Sequence, residues 1–413
     1  MSQKKTEPTG CGCANIPFSL ILVIAGGGYW LFTQRGNFDL TKFLPPNQQI
    51  TIPILNFTPI PVTTPSAVKT IIPLLTSSPI AAPTSTPIVS TPVNISPTPI
   101  KTILPSNTSS PQTPWQKKVI RGIYLSRYQV TNNADEQTIR QRVRYYHQQG
   151  FNTIIHGVWG NGCTMYNSEV MQKTLGFKSC PNLFQDQWLN WLIDEAHKQG
   201  MQVHAYFEKG IKIDKNSPIF DLAISQKWIV PGIDKTYSGI EHYVLDVEMP
   251  KVANLFKNIL VEFVKKDPKI DAVQWDDYLG YHAELPGKVD RTSKLTAFVK
   301  QMIAGMKQAN PTVSFDICHH NPYWAKRYFA ADWEQWKVDR VFIQAYNDAN
   351  FQEELNYVKN SAGIAITETQ FHRFKELVNN PEVKSILVFP GSGKPEATAS
   401  TVKSLIIKSG SVP

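Results

Sequence analysis

Residues 271–281 read DAVQWDDYLGY: a strand-like apolar run, Ala272 to Trp275, that ends in two adjacent aspartates, Asp276 and Asp277. Neighbouring carboxylates repel each other and are costly to desolvate. A strand that ends on such a pair predicts a place where charge is needed, and the rest of the chain shows which fold puts it there. From Trp115 onward, short β-rich runs alternate with amphipathic helical stretches, the pattern of βα units around a parallel sheet. Strands are predicted at 119–125, 151–158, 201–207, 270–275, 313–318, 338–345, 362–367 and 385–389. Helices are predicted at 135–149, 186–199, 250–266, 291–309, 322–336, 350–360, 369–379 and 395–408, with Gly150 and Gly200 just past two helix ends, where a left-handed cap favours glycine. Eight strands, each followed by a helix, predict a (β/α)8 TIM-type barrel over 115–413. A doubly wound sheet is the competing topology, but its glycine-rich dinucleotide turn is missing after the first strand.

In such a barrel, chemistry sits at the C-terminal ends of the strands. Alternation along a strand then selects the side chains that point inward. On the third strand Gln202, His204, Tyr206 and Glu208 share one face, and Val203, Ala205 and Phe207 share the other. The apolar set suits the helices, so the polar set points into the barrel with Glu208 at the rim. On the fourth strand the same rule turns Gln274 and Asp276 inward and leaves Asp277 to begin the loop, where it holds the loop or a substrate hydroxyl. Adjacent strands lie roughly 4.8 Å apart. Glu208 and Asp276 are therefore expected within the ~5–9 Å span of glycosidase carboxylate pairs, whose like charges also separate their proton affinities. Sequence leaves the retaining and inverting spacings open.

Weaker rim candidates are Asp316, inward on the fifth strand as a second partner for Asp276, and Gln344 and Tyr346, ending the sixth strand as hydroxyl binders. Trp159 and Tyr166 on the second loop are candidates for stacking on sugar faces or, equally, for ordinary packing. His204 and Tyr206 complete the expected substrate-binding set. His319 and His320 read more readily as structural or sugar-contacting groups, and Arg121 as an internal barrel ion-pair member. PGSGKP at 390–395 lacks the first glycine and the Ser/Thr of a phosphate loop. A metal site from His204, Asp316, Asp276 and the 319–320 pair is sterically conceivable, but no H-E-x-x-H or clustered Cys/His spacing supports it.

The first 114 residues have another character. After a tail at 1–15, Ile16 to Phe32 (IPFSLILVIAGGGYWLF) runs 17 residues without a charge, with Tyr29 and Trp30 placed like an interfacial belt. A transmembrane anchor at 16–33 is expected. A cleaved signal peptide is the rival, but no A-x-A site follows the run. Residues 34–114 form a Pro/Thr/Ser-rich linker, with 16 of the chain's 30 prolines between Pro45 and Pro114 and the triplet TPI at 58, 86 and 98. Such a stretch cannot bury a core and reads as a disordered, extended spacer. The formal charge of +9 is dispersed: +2 over residues 1–44 (four basic, two acidic), +2 over 45–114 (Lys69 and Lys101, no acid) and +5 over the rest. With no basic run and no nucleic-acid motif, a nucleic-acid partner is not expected. Cys163 and Cys180, 17 apart in one polar segment, are expected to pair if the barrel lies in an oxidising compartment. Cys318, in a strand, reads as a buried small hydrophobe.

Together the motifs resemble the family 10-like glycosyl hydrolases, barrel enzymes of bacterial envelopes. Arg121-Gly122-Ile123-Tyr124-Leu125 is similar to the family's R-G-[VI]-[WY]-L. The similarity continues through Gly150-Phe151-Asn152-Thr153, Tyr166-Asn167-Ser168 and Glu195-Ala196-His197-Lys198-Gln199-Gly200. His204-Ala205-Tyr206-Phe207-Glu208-Lys209-Gly210 is close to H-A-W-F-E-x-G. Leu245-Asp246 with Pro250 and Val252 resembles an L-D-P run, and Val273-Gln274-Trp275-Asp276-Asp277-Tyr278 resembles I-Q-F-D-D-H. Tyr206 replaces the usual Trp and Tyr278 the usual His, while both carboxylates are kept; the cysteine-flanked insert at 163–180 lies outside the pattern.

The resemblance implies glycan hydrolysis in the cell envelope, with peptidoglycan strands as the substrate in view. The expectation is a glycoside hydrolase held in the cytoplasmic membrane by one helix, its barrel in the periplasm or outside the cell. Glu208 is the expected proton donor and Asp276 the nucleophile or base, the two roles being exchangeable, with Asp277 in support. The chemistry calls for no cofactor. The competing expectation is a non-catalytic glycan-binding barrel that tethers wall to membrane, and converging carboxylates distinguish the two.

Overall fold

The computed structural model describes residues 112–235, 239–282, 285 and 290–410. The expected anchor at 16–33, and the expected linker at 34–114 except its last three residues, lie outside the described residues. Among the described residues no helix is long and apolar enough to cross a membrane.

Eight parallel strands close into a barrel. They are β1 (Arg121–Leu125), β2 (Thr153–Gly160), β3 (Gln202–Phe207), β4 (Ala272–Trp275), β5 (Ser314–His319), β6 (Arg340–Gln344), β7 (Gly363–Thr367) and β8 (Ile386–Phe389). Each pairs with the next, and β1 pairs with both β2 and β8, which closes the cylinder. One helix follows each strand: α1 (Glu136–Gln148), α2 (Trp188–Lys198), α3 (Pro250–Lys266), α4 (Arg291–Ala309), α5 (Pro322–Phe329), α6 (Phe351–Val358), α7 (Phe374–Asn379) and α8 (Pro395–Gly410).

The helix starts follow capping chemistry. Asp135 accepts from Thr138 N–H ahead of α1, and Asp290 accepts from Ser293 N–H ahead of α4. Gly150 and Gly200 adopt φ of +97° and +68°, the left-handed conformation that lets the chain turn back into a strand. Two predicted helices are shorter than their periodicity. The one at 322–336 stops at Phe329, where Ala330 turns left-handed, and continues as a 3-10 turn at Trp333–Gln335. The one at 369–379 begins as a 3-10 turn at Glu368–Arg373, whose capping box joins Thr367 and Gln370.

The core has two layers. Between strands and helices, Trp275 stacks on Phe207 at 4.5 Å and meets Phe256 of α3. Inside the barrel, Tyr124, Ile155, Tyr206, Cys318, Phe342, Ala365 and Leu387 fill the lumen. Space there is short: a Cβ at Gly122 would lie 2.7 Å from Leu387 Cδ2, so β1 passes β8 as bare backbone. Below this layer the lumen is ionic. Arg340 of β6 bonds Asp316 of β5 at 2.7 Å, and His204 Nε2 lies 3.4 Å from Arg340 Nη2. Arg340, not Arg121, is thus the internal ion-pair arginine. Arg121 instead donates to the carbonyls of Gln116, Lys118 and Gly150 at the barrel base.

Two loops are elaborated. After β2, a short antiparallel strand at Cys163–Thr164 returns along β2, and Cys163 is joined to Cys180 by a disulfide with Sγ–Sγ 2.09 Å. After β3, residues 209–249 build an insert with a two-stranded ribbon, Lys212–Ile213 against Tyr243–Val244, and a short helix at Phe220–Ser225.

Candidate active site

The register of β3 against β4 positions the carboxylates. His204 pairs with Ala272 and Tyr206 with Gln274. Glu208 and Asp276 are the first residues past the ends of these two neighbouring strands.

Asp276 is held from two sides. The Tyr206 hydroxyl donates to its Oδ2 in a very short hydrogen bond, and Tyr278 N–H donates to its Oδ1 at 3.0 Å. Burial and the adjacent Asp277 charge push its proton affinity up to about 8, against the pull of those two hydrogen bonds and of Lys212. Glu208 is also pushed up by burial, but Arg127 and Lys209 draw it back. Tyr206 links the two: burial raises its hydroxyl well above the usual range, and the charges of Asp276 and Glu208 raise it further. Both carboxylates thus act on one hydroxyl.

Glu208 faces a cavity of about 330 Å³ shared with Tyr124, Ser126, Gln129, Tyr206 and Phe389. Gly157 leaves room for the carboxylate, since a Cβ there would lie 3.1 Å from Glu208 Oε2. The cavity wall is aromatic, with Tyr124 edge-on to both Tyr206 (5.2 Å) and Phe389 (5.5 Å). A polar mouth over an aromatic wall suits a sugar ring, which offers hydroxyls at its edge and C–H groups on its face.

Asp277 does not turn away into the loop. It is buried, and its Oδ1 accepts from Gln344 Nε2 at 3.3 Å across the barrel mouth. Tyr346 lies on the same side, stacked on Phe389, with its hydroxyl 3.9 Å from Cys318 Sγ. His319, fully buried, is pushed down to about 3 by burial, although Asp277 opposes this, so it is a neutral imidazole at physiological pH. His320 is structural, hydrogen-bonded to Glu354 at 2.9 Å.

Three expected substrate contacts are not at the mouth. His204 and Asp316 lie fully buried in the ionic layer one step below, where Asp316 serves Arg340 and cannot partner Asp276. Trp159 is packed outside the barrel against Phe256, its indole N–H donating to Gly210 O at 3.0 Å. A bulge in β2 between Gly157 and Trp159 shifts the pairing so that Trp159 lies opposite Phe207, and strict alternation fails there. Tyr166, 4% exposed, is likewise loop core against Phe263.

Sequence reading missed Tyr124 and Phe389, which alternation on β1 and β8 would have turned inward, and Arg127 and Lys212, which it had no means to place. Lys212 lies fully buried, paired with Asp234 at 3.0 Å, its ammonium 4.9 Å from the Tyr278 ring. It is a cation supplied by the β3–α3 insert to the acidic mouth. Gly210 lets that insert dock. Its φ is +45°, and a Cβ would lie 2.5 Å from Tyr278 O, so the loop after Glu208 crosses the loop after Asp276 backbone to backbone. The Leu245-Asp246 run has a structural part: Asp246 Oδ1 accepts from Glu248 N–H at 3.0 Å just before α3.

Comparison with known proteins agrees with the motif reading. Residues 119–290 match the family model described as Glycosyl hydrolase-like 10. The glycosyl hydrolase DigH of Escherichia coli (strain K12) is 28% identical over 165 residues, covering 37% of this chain and 36% of DigH. The DigH protein of Shigella flexneri matches to the same extent. The match therefore spans about a third of the length of these relatives. Among solved structures, a GH36 α-galactosidase (AgaB) from Geobacillus stearothermophilus superimposes with a TM-score of 0.44 at 12% identity, over 71% of this chain and 42% of the other. An α-amylase from Lactobacillus plantarum gives 0.45 at 9% identity, over 72% of this chain and 81% of the other. The matched stretch runs from β1 past the end of β4 and includes Glu208, Asp276 and Asp277.

Proposed function

We propose that the barrel is a glycoside hydrolase that cleaves a cell-envelope polysaccharide, with peptidoglycan glycan strands as its substrate, through the carboxylates of Glu208 and Asp276. The observation that supports this reading is Tyr206, which lines an aromatic cavity together with Glu208 while its hydroxyl donates to Asp276. A barrel that only holds glycan has no need of two buried carboxyl groups that act on one hydroxyl.

Of the two role assignments that the sequence leaves exchangeable, this reading takes Asp276 as the acid and Glu208 as the nucleophile. Asp276, raised to about 8 by burial and by Asp277, keeps its proton at neutral pH and is the proton donor to the glycosidic oxygen. Glu208, with Arg127 and Lys209 pulling against burial, is the carboxylate that meets the anomeric carbon. The reading takes the retaining course, for which the two carboxyl groups stand about 5–5.5 Å apart. Glu208 then forms the glycosyl ester, and water, activated by the deprotonated Asp276, releases it with the anomeric configuration kept. Tyr206 and Gln344 hold Asp276 and Asp277 for this task. We place the barrel outside the cytoplasmic membrane, held by the apolar segment at 16–33, on the strength of that segment, the proline-rich spacer and the Cys163–Cys180 disulfide.

The test is digestion of purified wall glycan, with mass spectrometry of the soluble products and proton NMR of the first anomer released. New reducing ends of retained configuration are expected. No soluble product would leave a binding module, and inverted product would move Glu208 from nucleophile to general base.

A further inference from the structure

Helices α3 and α4 carry a charge bias that the catalytic reading does not use. Each has four basic residues: Lys251, Lys257, Lys265 and Lys266 on α3, and Arg291, Lys294, Lys300 and Lys307 on α4. Against these eight stands a single acid on the two helices, Glu262, which lines the outer edge of this face together with Glu169. Its carboxylate accepts from the N–H groups of Glu169 and Val170 at 2.7 and 3.1 Å. Lys307 and Lys294 reach Asp339 and Glu248, at 2.7 and 3.8 Å. Among the described residues Lys251, Lys257, Lys265 and Lys300 take part in no ion pair, and all four reach solvent.

The surface they occupy is grooved. The two helices approach closely at Gly305, where a Cβ would lie 3.2 Å from Val261 Cγ2, and beside that contact runs a furrow of about 630 Å³ floored by small side chains. Two further furrows, of about 730 and 740 Å³, meet it at Asn258. Asn254, Asn258, Gln301 and Gln308 alternate with the lysines along these walls. Lys251 to Lys265 spans 14 residues, about 21 Å of helix, from the mouth side of the barrel towards its base. None of the chain's exposed large apolar side chains among the described residues falls on either helix. A surface that lies on a bilayer needs such side chains to insert. A furrow of lysines separated by amides suits a hydrated linear polymer, with ion pairs for its charges and amides for its hydroxyls.

We propose that the α3–α4 face is a second binding site, separate from the catalytic mouth, for an anionic polysaccharide strand. It holds the barrel on the negatively charged polymers that accompany its substrate. α3 and α4 follow the strands that end in Glu208 and Asp276, so a strand in the furrow lies alongside the catalytic wall of the barrel. The inference does not depend on hydrolysis and stands or falls by binding alone.

The experiment uses the full chain, with immobilised polygalacturonate as the anionic probe, dextran as the neutral one, and phosphatidylglycerol vesicles as the bilayer alternative. Polygalacturonate is expected to bind at low ionic strength and to be released near 1 M salt, where the screening length falls to about 3 Å. The triple variant Lys251→Gln, Lys257→Gln, Lys265→Gln should lose about tenfold in affinity, three exposed charges each contributing a few tenths of a decade. Its far-UV spectrum should be unchanged, and the corresponding triple Lys→Arg variant should bind like the wild type. Undiminished binding by the triple Gln variant, equal retention on dextran, or tighter binding to vesicles than to polygalacturonate would each overturn the assignment.

Discussion

Tyr206 is the side chain through which the two carboxylates sense each other, and it replaces a tryptophan of the family pattern. Its hydroxyl donates to Asp276 and lies under the influence of both Asp276 and Glu208. Tyr206→Phe removes one hydrogen bond that lowers the affinity of Asp276 for its proton. The alkaline limb of turnover should therefore move up in pH, with kcat/KM reduced about tenfold. Asp277→Asn acts with the opposite sign. The Asp277 charge raises Asp276, so its removal lowers the affinity and moves the alkaline limb down, by about one pH unit. A pH–rate profile of the two variants side by side checks both signs; limbs that move together would show that Asp276 does not set them. The raised affinity also has a stability consequence. A carboxyl whose affinity is higher folded than unfolded contributes stability below the unfolded value, and loses it as pH rises towards the folded one. Between about pH 4 and about pH 8 the native barrel should therefore become less stable through Asp276, and urea midpoints across that range should be flatter for Asp276→Asn.

At the level of elements, the period of the sequence located all eight strands and the helix after each, because parallel strands buried on both faces are unmistakable apolar runs between helical repeats. Alternation likewise turned Tyr206 into the barrel, where its hydroxyl meets Asp276, since β3 and β4 pair regularly up to that point. Of the two readings offered for Trp159, sugar stacking and ordinary packing, the structure has the packing one, beyond a bulge in β2. Alternation could not reach Lys212, which acquires its place from the fold of a 41-residue insert at 209–249, and not from any strand. His204 and Asp316 were correctly turned inward but set one layer too high; the arginine that claims them, Arg340, is distant in sequence. Two predictions belong at this scale. Replacing Cys163 and Cys180 with serine opens a loop of 17 residues and should lower stability by roughly 3 kcal/mol on the chain-entropy account, without moving the catalytic strands. Gly210→Ala drives a methyl into the Tyr278 backbone. It should impair turnover more than global stability, because the clash lies between the two loops that carry Glu208 and Asp276. Thermal denaturation and kcat, measured together, separate these outcomes.

For the molecule as a whole, the proposed anchor at 16–33 is open to a direct test. If the segment at 16–33 is an uncleaved anchor, protease added to intact spheroplasts should release a soluble, active fragment that begins within 45–114. A mature N-terminus near residue 28, or complete protection, would remove the anchor from the account. The central claim is that Glu208 and Asp276 perform glycoside hydrolysis in one mouth, and one measurement tests it most directly: the rate of soluble sugar release from purified wall glycan by Glu208→Gln and Asp276→Asn, with glycan binding followed in the same samples. Amide substitution keeps the shape of each side chain and removes its acid–base and nucleophilic capacity, which is worth about 10²–10⁴-fold in rate. Release should fall by at least about a hundredfold in each variant, while binding stays near that of the wild type. Release at the wild-type rate by either variant would contradict the account.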